Sequence, residues 1–112
     1  MKEFSKDRIR ELVISGLRVF WKINTDGMLG VPSRIDALRF DDFEEAEDRS
    51  LVNVVEFAIL PTFRGLGIEI SVSERQLVDV TTVGDLVFLI RTEANKIVRE
   101  INFQETARLR LS

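Results

Sequence analysis

The chain lacks cysteine and histidine altogether, and its 112 residues include only two prolines and six glycines. Without cysteine or histidine, the chain cannot form a disulfide, a Cys/His zinc site, or a Ser-His-Asp or Cys-His catalytic system. A metal site or an acid–base pair built from carboxylates alone remains open, but no fixed spacing of acidic residues indicates one. The absence of cysteine is compatible with a reducing compartment.

Long apolar runs and an excess of positive charge are missing as well. No apolar stretch reaches the roughly 20 residues of a membrane span, and the N-terminal sequence MKEFSKDRIRE is too charged for a signal peptide. We therefore expect a cytoplasmic protein with no membrane span. The net charge of −3 argues against nucleic acid as its partner.

The remaining composition is that of a folded domain. Hydrophobic residues make up 45% of the chain and charged residues 31%, which is typical of a globular protein and not of a disordered one. The length is close to that of a common single domain. Because no linker or repeat divides the chain, we predict one domain over residues 1–112.

Apolar spacing predicts two helices in the first sixty residues. Residues 5–22 carry apolar side chains at helical spacing, and Ser5 is placed to cap that helix. Residues 24–39 are rich in turn-forming types and predict a long loop. The apolar run 50–60 predicts a buried helix that ends or kinks at Pro61.

The second half contains turn and cap signals before a long final helix. Residues 63–67 include two glycines and predict a turn. Ser71 and Glu74 fit a capping box that opens a short helix. Residues 82–85 resemble a second helix start, from which apolar spacing continues to about Glu105. The prediction is an all-α fold: a small four-helix bundle with a long loop after helix 1 and a short third helix.

A cluster of carboxylates precedes the second long helix. One interpretation is a solvated loop or a first helical turn, because carboxylates are favourable near a helix N-terminus. Another is a docking surface for a basic partner, and a divalent-metal site is a weaker third alternative because no ligand loop is visible. We name residues 41–48 the acidic segment; its carboxylates are Asp41, Asp42, Glu44, Glu45, Glu47 and Asp48.

An ordered set of short motifs resembles the phosphopantetheine-dependent acyl carrier proteins. The motifs are Phe40-Asp41-Asp42-Phe43, Ser50-Leu51, Val55-Glu56-Phe57, Gly67-Ile68-Glu69-Ile70 and Thr82-Val83-Gly84-Asp85. They cover about residues 40–90. The resemblance implies a four-helix bundle of the acyl-carrier type, in which Ser50 carries a 4'-phosphopantetheine arm at the start of the second helix.

The resemblance also implies how such a protein works. The family carries acyl groups as thioesters on the thiol of the arm, so no catalytic residue of the chain is needed and no enzyme activity is expected. The implied partners are a phosphopantetheinyl transferase and the acyl-transferring enzymes of fatty-acid or polyketide-type synthesis. The acidic segment and Glu56 would then form the docking surface, while the oligomeric state is left open.

Three departures from the family pattern leave a second interpretation open. Arg49 stands where the family has Asp. Counting back from the Val-Glu-Phe motif places Leu51 at the serine position, and counting back from the Gly-Ile-Glu-Ile motif places Val52 there. Pro61 falls within the last turns expected of the second helix. The alternative is a carrier-like fold without the prosthetic group that acts as a protein–protein interaction module, with Ser50 serving only as an N-cap.

Overall fold

The described residues are predominantly helical and form no strand, which confirms the all-α prediction. The structure is a computed structural model that describes residues 1–20, 31–40 and 50–111. The acidic segment lies outside the described residues, as do the first seven residues of the predicted loop, 24–30. Within the described ranges, the pairing of Arg39 with Thr82 is an isolated antiparallel bridge and not part of a sheet.

The helical segments follow one another in a simple order. Three of them, α3, a π-helical segment and α4, run on without a break, and we name them together the composite helix. The segments are α1 Lys6–Phe20, α2 Pro32–Asp36, α3 Leu51–Val54, the π-segment Val55–Ile59, α4 Leu60–Gly65, α5 Glu74–Leu77 and α6 Val83–Leu111.

Helix α1 begins where the sequence predicts. The hydroxyl of Ser5 accepts a hydrogen bond from the Arg8 backbone N–H at 3.2 Å, which satisfies one of the free donors of the first turn. Ile9, Val13 and Leu17 are fully buried, so the predicted apolar face is the one that meets the core. The last two residues of the predicted helix lie outside the described residues.

The predicted loop after helix 1 contains a helix, α2, so the loop prediction is wrong in its second half. Pro32 lies in the first turn of α2, where a residue without an N–H costs nothing and a fixed φ favours the helix. Ile35 is buried against the core. With the composite helix counted once, α2 brings the described helices to five instead of the predicted four.

Of the two predicted effects of Pro61, an end or a kink, the helix end does not occur, and only the last two residues of the predicted turn 63–67 lie outside the helix. The Leu60 N–H bonds to the carbonyl of Val55, five residues back, and this π-turn places Pro61 in the first turn of α4. A proline is tolerated there because no N–H is required of it. The helix therefore continues through the fully buried Phe63, and the chain turns only at Gly67, where φ is +84°.

The short third helix exists, but its cap is Ser73 and not Ser71. The Ser73 hydroxyl accepts from the Gln76 N–H at 3.3 Å, and the Gln76 side chain accepts from the Ser73 N–H at 2.9 Å. The helix starts later than predicted because Ile70 and Val72 first pack against the core in a non-helical stretch. Its Leu77 completes that contact.

Helix α6 begins at the predicted cap and runs beyond its predicted end. The Asp85 N–H donates to the Thr82 hydroxyl at 3.1 Å, and the Asp85 carboxylate accepts from the Thr82 N–H at 3.2 Å. Side chains on one face are fully buried as far as Val98. Beyond Glu105 the helix continues to Leu111, because the Ala, Arg and Leu residues there favour helix even without burial.

A single hydrophobic core joins α1, the composite helix and α6. None of the described helices has both the length and the apolar character that a membrane crossing requires. The largest fully buried side chains are Phe63, Ile9, Leu17, Ile59, Ile68, Leu86, Ile90, Val13, Val54, Val55, Val83 and Val87.

Candidate functional site

Ser50 is the N-cap of the composite helix and is exposed to solvent. Its backbone is extended, with φ −66° and ψ 153°, and its hydroxyl accepts from the Asn53 N–H at 3.3 Å. Leu51, the first helical residue, is half-buried. The backbone N–H groups of this first turn and the helix dipole together favour a negatively charged group at this end of the helix.

A cleft of about 470 Å³ lies beside this end of the composite helix. One wall is the composite helix, and the other is the chain that leads into α5. The apolar lining is Val52, Val55, Leu60, Ile70, Val72 and Leu77, and the polar lining is Glu56, Arg64, Glu69, Ser71 and Glu74. Because Val52 lies two residues after Ser50, the cap and the cleft share the first turn of the composite helix.

The rim of the cleft carries more negative than positive charge. Glu56, Glu69 and Glu74 contribute three carboxylates against the single guanidinium of Arg64. Arg64 lies 3.7 Å from the Glu69 carboxylate, and Glu56 is exposed. A rim of this sign attracts cationic surfaces. Of the predicted docking residues only Glu56 is described, and it lies on this rim.

Capping alone does not single out Ser50, because Ser5 and Ser73 are exposed N-caps with nearly the same geometry. Their hydroxyls accept from the third following N–H at 3.2 and 3.3 Å. Ser5 begins α1, which does not line the cleft, and Ser73 begins a helix of only four residues. Ser50 alone of the three is followed by an apolar residue, Leu51, and opens the long composite helix.

The π-segment accounts for a discrepancy in the motif spacing. The two motif counts place the serine position at Leu51 or at Val52, one residue apart. A turn closed by an i to i+5 hydrogen bond holds one residue more than an α-turn, and the π-segment begins at the Val55-Glu56-Phe57 motif and ends before the Gly67-Ile68-Glu69-Ile70 motif. One extra residue is thus absorbed inside the helix. Ser50 still lies one residue before Leu51, the position that the Val-Glu-Phe motif gives for the serine. The mismatch with the spacing of the resembled family is therefore reduced but not removed.

The second wall of the cleft was missed by the sequence analysis. Ile70 and Val72 belong to a non-helical stretch, and their alternation with Ser71 was the available signal, because alternate residues of an extended chain face the same side. The π-segment was missed as well. Its signal was a proline inside an otherwise continuous helical apolar pattern.

The titratable groups with shifted pKa values lie outside the cleft. The Arg10 guanidinium donates from Nε and Nη2 to the two oxygens of Asp36 at 2.8 Å each, and these bonds hold the pKa of Asp36 below its ordinary value and raise that of Arg10. The Thr81 N–H, with other donors of the cap, lowers the pKa of Asp85. Both carboxylates accept hydrogen bonds that stabilise helices, and neither lines the cleft beside Ser50.

No carboxylate metal site is found in the part of the chain that the structure describes. Residues 1–20, 31–40 and 50–111 contain no group of three acidic side chains close enough to hold an ion. The alternative of a metal site in the acidic segment falls on residues outside the description.

Comparisons with known proteins identify no relative. The chain matches no protein-family model, no curated protein and no solved structure.

Proposed function

We propose that this chain is a carrier protein of the acyl-carrier type, with Ser50 as the attachment point of a 4'-phosphopantetheine arm. The arm would supply the thiol on which an acyl group is held as a thioester. The chain itself would hold, shield and present that group, and would not catalyse its transfer. Its place of action would be the cytoplasm.

The observation that carries the proposal is the exposed hydroxyl of Ser50 at the N-terminus of the composite helix. A phosphate ester at this position would lie beside the backbone N–H groups of the first turn and the positive end of the helix dipole. The hydroxyl of Ser50 already accepts from the Asn53 N–H, so a phosphate attached to that oxygen would lie close to the same donor.

The cleft supports the same proposal through its shape and chemistry. Its volume of about 470 Å³ falls within the roughly 300–1,000 Å³ of common small-molecule sites. The apolar side chains of Val52, Val55 and Leu60 face Ile70 and Leu77 across it. An acyl chain placed there would lose part of its contact with water, and burial of apolar area favours such placement.

The charges of the rim suit the partners that this role requires. A phosphopantetheinyl transferase and acyl-transferring enzymes with basic surfaces would meet the carboxylates of Glu56, Glu69 and Glu74. The acidic segment 41–48 adds further negative charge upstream of Ser50. Such attraction accelerates encounter and weakens as salt is added.

Intact-mass measurement tests the assignment of Ser50. The chain would be co-expressed with a broadly acting phosphopantetheinyl transferase, and we expect a gain of about 340 Da, the mass of the arm. The gain should vanish in Ser50→Ala and persist in Ser73→Ala, which is the matched control because Ser73 is also an exposed N-cap next to the cleft. A gain that persists in Ser50→Ala would show that another residue is the attachment point.

A second candidate function is supported by a different observation. Leu51 and Val52, which the motif counts place at the serine position, have no hydroxyl, and Phe57 in the π-segment is 64% exposed. An exposed aromatic beside the acidic rim suits a protein–protein interaction module that works without a prosthetic group. Failure of several transferases to add mass to the folded chain would favour this second candidate over the first.

A further inference from the structure

The first four residues run along α6 and are held there by two asparagine side chains. We name residues 1–4 the N-terminal strap. The Phe4 N–H donates to Oδ1 of Asn95 at 2.7 Å, and Nδ2 of Asn95 donates to the Phe4 carbonyl at 3.1 Å. Asn102 makes a similar pair of bonds: its Oδ1 accepts from the terminal ammonium nitrogen of Met1 at 2.9 Å, and its Nδ2 donates to the Met1 carbonyl at 2.8 Å.

The spacing of the two asparagines matches an extended peptide backbone. Seven residues of α-helix rise about 10.5 Å, and three residues of extended chain span about 10 Å. Asn95 and Asn102 therefore meet residues 4 and 1 in the same way. We name these four hydrogen bonds the asparagine ladder. All four involve main-chain atoms of the strap, so the ladder can bind an extended chain whatever its side chains are.

Side-chain contacts add sequence preference to the ladder. The carboxylate of Glu3 pairs with the Arg99 guanidinium at 2.5 Å. The Phe4 ring packs edge-on against Phe63, with centroids 5.6 Å apart at 72°, and Arg91 Nε donates to the Phe4 carbonyl at 3.2 Å. The side chains that the site accepts are thus an acidic residue followed directly by an aromatic one.

The buried position of Asn95 indicates that the ladder is more than a surface contact. Asn95 is only 6% exposed, and both polar atoms of its amide bond to Phe4. A buried amide is tolerated only when it is hydrogen-bonded.

The groove also extends beyond the strap. A cleft of about 280 Å³ adjoins it, with Phe88 and Thr92 among its lining residues together with Asn95 and Arg99. Phe88 is 73% exposed. At Ser5 the chain leaves α6 and enters α1, so the strap does not reach the part of the cleft at Phe88. The exposed ring of Phe88 therefore offers an apolar contact to a longer peptide.

We propose that α6 carries a binding site for an extended peptide segment in which an acidic residue precedes an aromatic one. The N-terminal strap occupies this site in cis and thereby inhibits it. A tethered segment has an effective concentration of the order of millimolar, so a free peptide gains access when the strap is weakened. This inference is independent of the attachment of an arm at Ser50.

Binding of a peptide with the strap's own sequence tests the proposal. The probe is the hexapeptide MKEFSK with a free N-terminus, as in the strap, and a C-terminal fluorophore, measured by anisotropy against the full chain. We expect binding to Glu3→Lys/Phe4→Ala to be at least about tenfold tighter than to the unchanged chain, because the competing strap is weakened. Glu3→Lys alone should shift binding in the same direction, and it keeps the test valid if loss of the Phe4 ring unfolds the chain.

Added substitutions separate the ladder from unspecific attraction. Adding Asn95→Ala to the Glu3→Lys/Phe4→Ala variant, the weakened chain, should remove the tight binding. Adding Gln104→Ala, which removes an exposed amide on the same helix, should leave the binding unchanged. Peptides with Lys for Glu or Ala for Phe should bind several-fold more weakly.

Three results would overturn the proposal. The first is equal binding to the weakened and unchanged chains, and the second is binding that survives Asn95→Ala. The third is a concentration-dependent dimer of the unchanged chain that Asn95→Ala abolishes, since this would mean that the ladder exchanges straps between two copies.

Discussion

One buried ion pair fixes the position of α2. The side chains of Arg10 and Asp36 are only 9% and 17% exposed, and the two parallel hydrogen bonds between them join α1 to the last residue of α2. Lys6 adds a cation 3.5 Å from the same carboxylate. Because α2 has only five residues, it is too short to be stable alone, and this pair is a main part of what holds it.

Asp36→Asn should destabilise the chain by about 2–3 kcal/mol, because it leaves the buried Arg10 guanidinium without its principal counter-charge. The measurement is urea unfolding at pH 7, followed by circular dichroism. Glu11→Gln is the control: it breaks the pair with Arg8, whose side chains are 53% and 71% exposed, and should cost less than about 0.5 kcal/mol. Equal effects of the two substitutions would contradict this role of Asp36.

The same pair predicts a pH dependence. The pKa of Asp36 is lower in the folded chain than its ordinary value of 3.8, so its stabilising contribution is complete above that value. It is lost as the pH falls through the folded pKa. The unchanged chain should therefore lose more stability between pH 7 and pH 3 than Asp36→Asn does. Some loss should remain in the variant, because the cap bonds also lower the pKa of Asp85.

At the scale of elements, α1 and the composite helix are in contact through a glycine. A Cβ atom added to Gly16 would lie 2.7 Å from Cγ1 of Ile59. Ile59 is fully buried and is the last residue of the π-segment. The close approach of these two helices therefore depends on the missing side chain, since a packed core has little room to move.

Gly16→Ala should destabilise the chain by about 1–3 kcal/mol through overpacking, despite the better helix propensity of alanine. Combining it with Ile59→Ala, which removes the clashing atom, should give a loss smaller than the sum of the two single losses. Urea midpoints of the four chains measure this coupling. Gly65→Ala is the control, because nothing lies within 4 Å of the added Cβ, and it should be neutral or mildly stabilising. Additive losses would show that the two helices do not meet through this contact.

Some helix starts could be predicted from the sequence because their signals are local. Ser5 and Thr82 cap the helices that the sequence assigns to them, since an N-cap bond joins residues three apart. Ser71 was the wrong choice over Ser73, because Ile70 and Val72 pack against the core first. The late start of α5 thus depends on contacts with residues distant in the sequence.

At the scale of the molecule, only the N-terminal part of α6 contributes fully buried side chains to the described core. Fully buried side chains on this helix stop at Val98, and Phe103 and Leu109 are 74% and 75% exposed. The molecule measures 55 Å along its longest axis and 23 Å along its shortest.

Removal of residues 104–112 should therefore change the free energy of unfolding by less than about 1 kcal/mol, because the described side chains of this segment are mostly exposed. Helical ellipticity should fall in proportion to the lost residues while the urea midpoint stays close to its original value. Removal of residues 95–112 is the contrasting variant, because it takes away Asn95 and the buried Val98 and should cost more than about 3 kcal/mol. A large loss from the shorter truncation would place part of the stabilising core in the last turns of α6.

The candidate site could be predicted only in part. The cap at Ser50 follows from a serine placed directly before an apolar helical run, which is a local signal. The cleft beside it depends on how the composite helix meets residues 70–77, and no periodicity within either segment specifies that contact. The N-terminal strap was not predicted, because its partners lie 91 and 101 residues away in the sequence.

By itself the sequence determined that the protein is helical and which faces of α1 and α6 are buried, because apolar periodicity and N-caps act over a few residues. It also excluded all chemistry that needs cysteine or histidine. Tertiary structure alone decided that Pro61 is carried within a helix, that 32–36 is helical, and that Asn95 and Asn102 bind a backbone. These features follow from contacts between distant segments, where packing and long-range hydrogen bonds outweigh local preference.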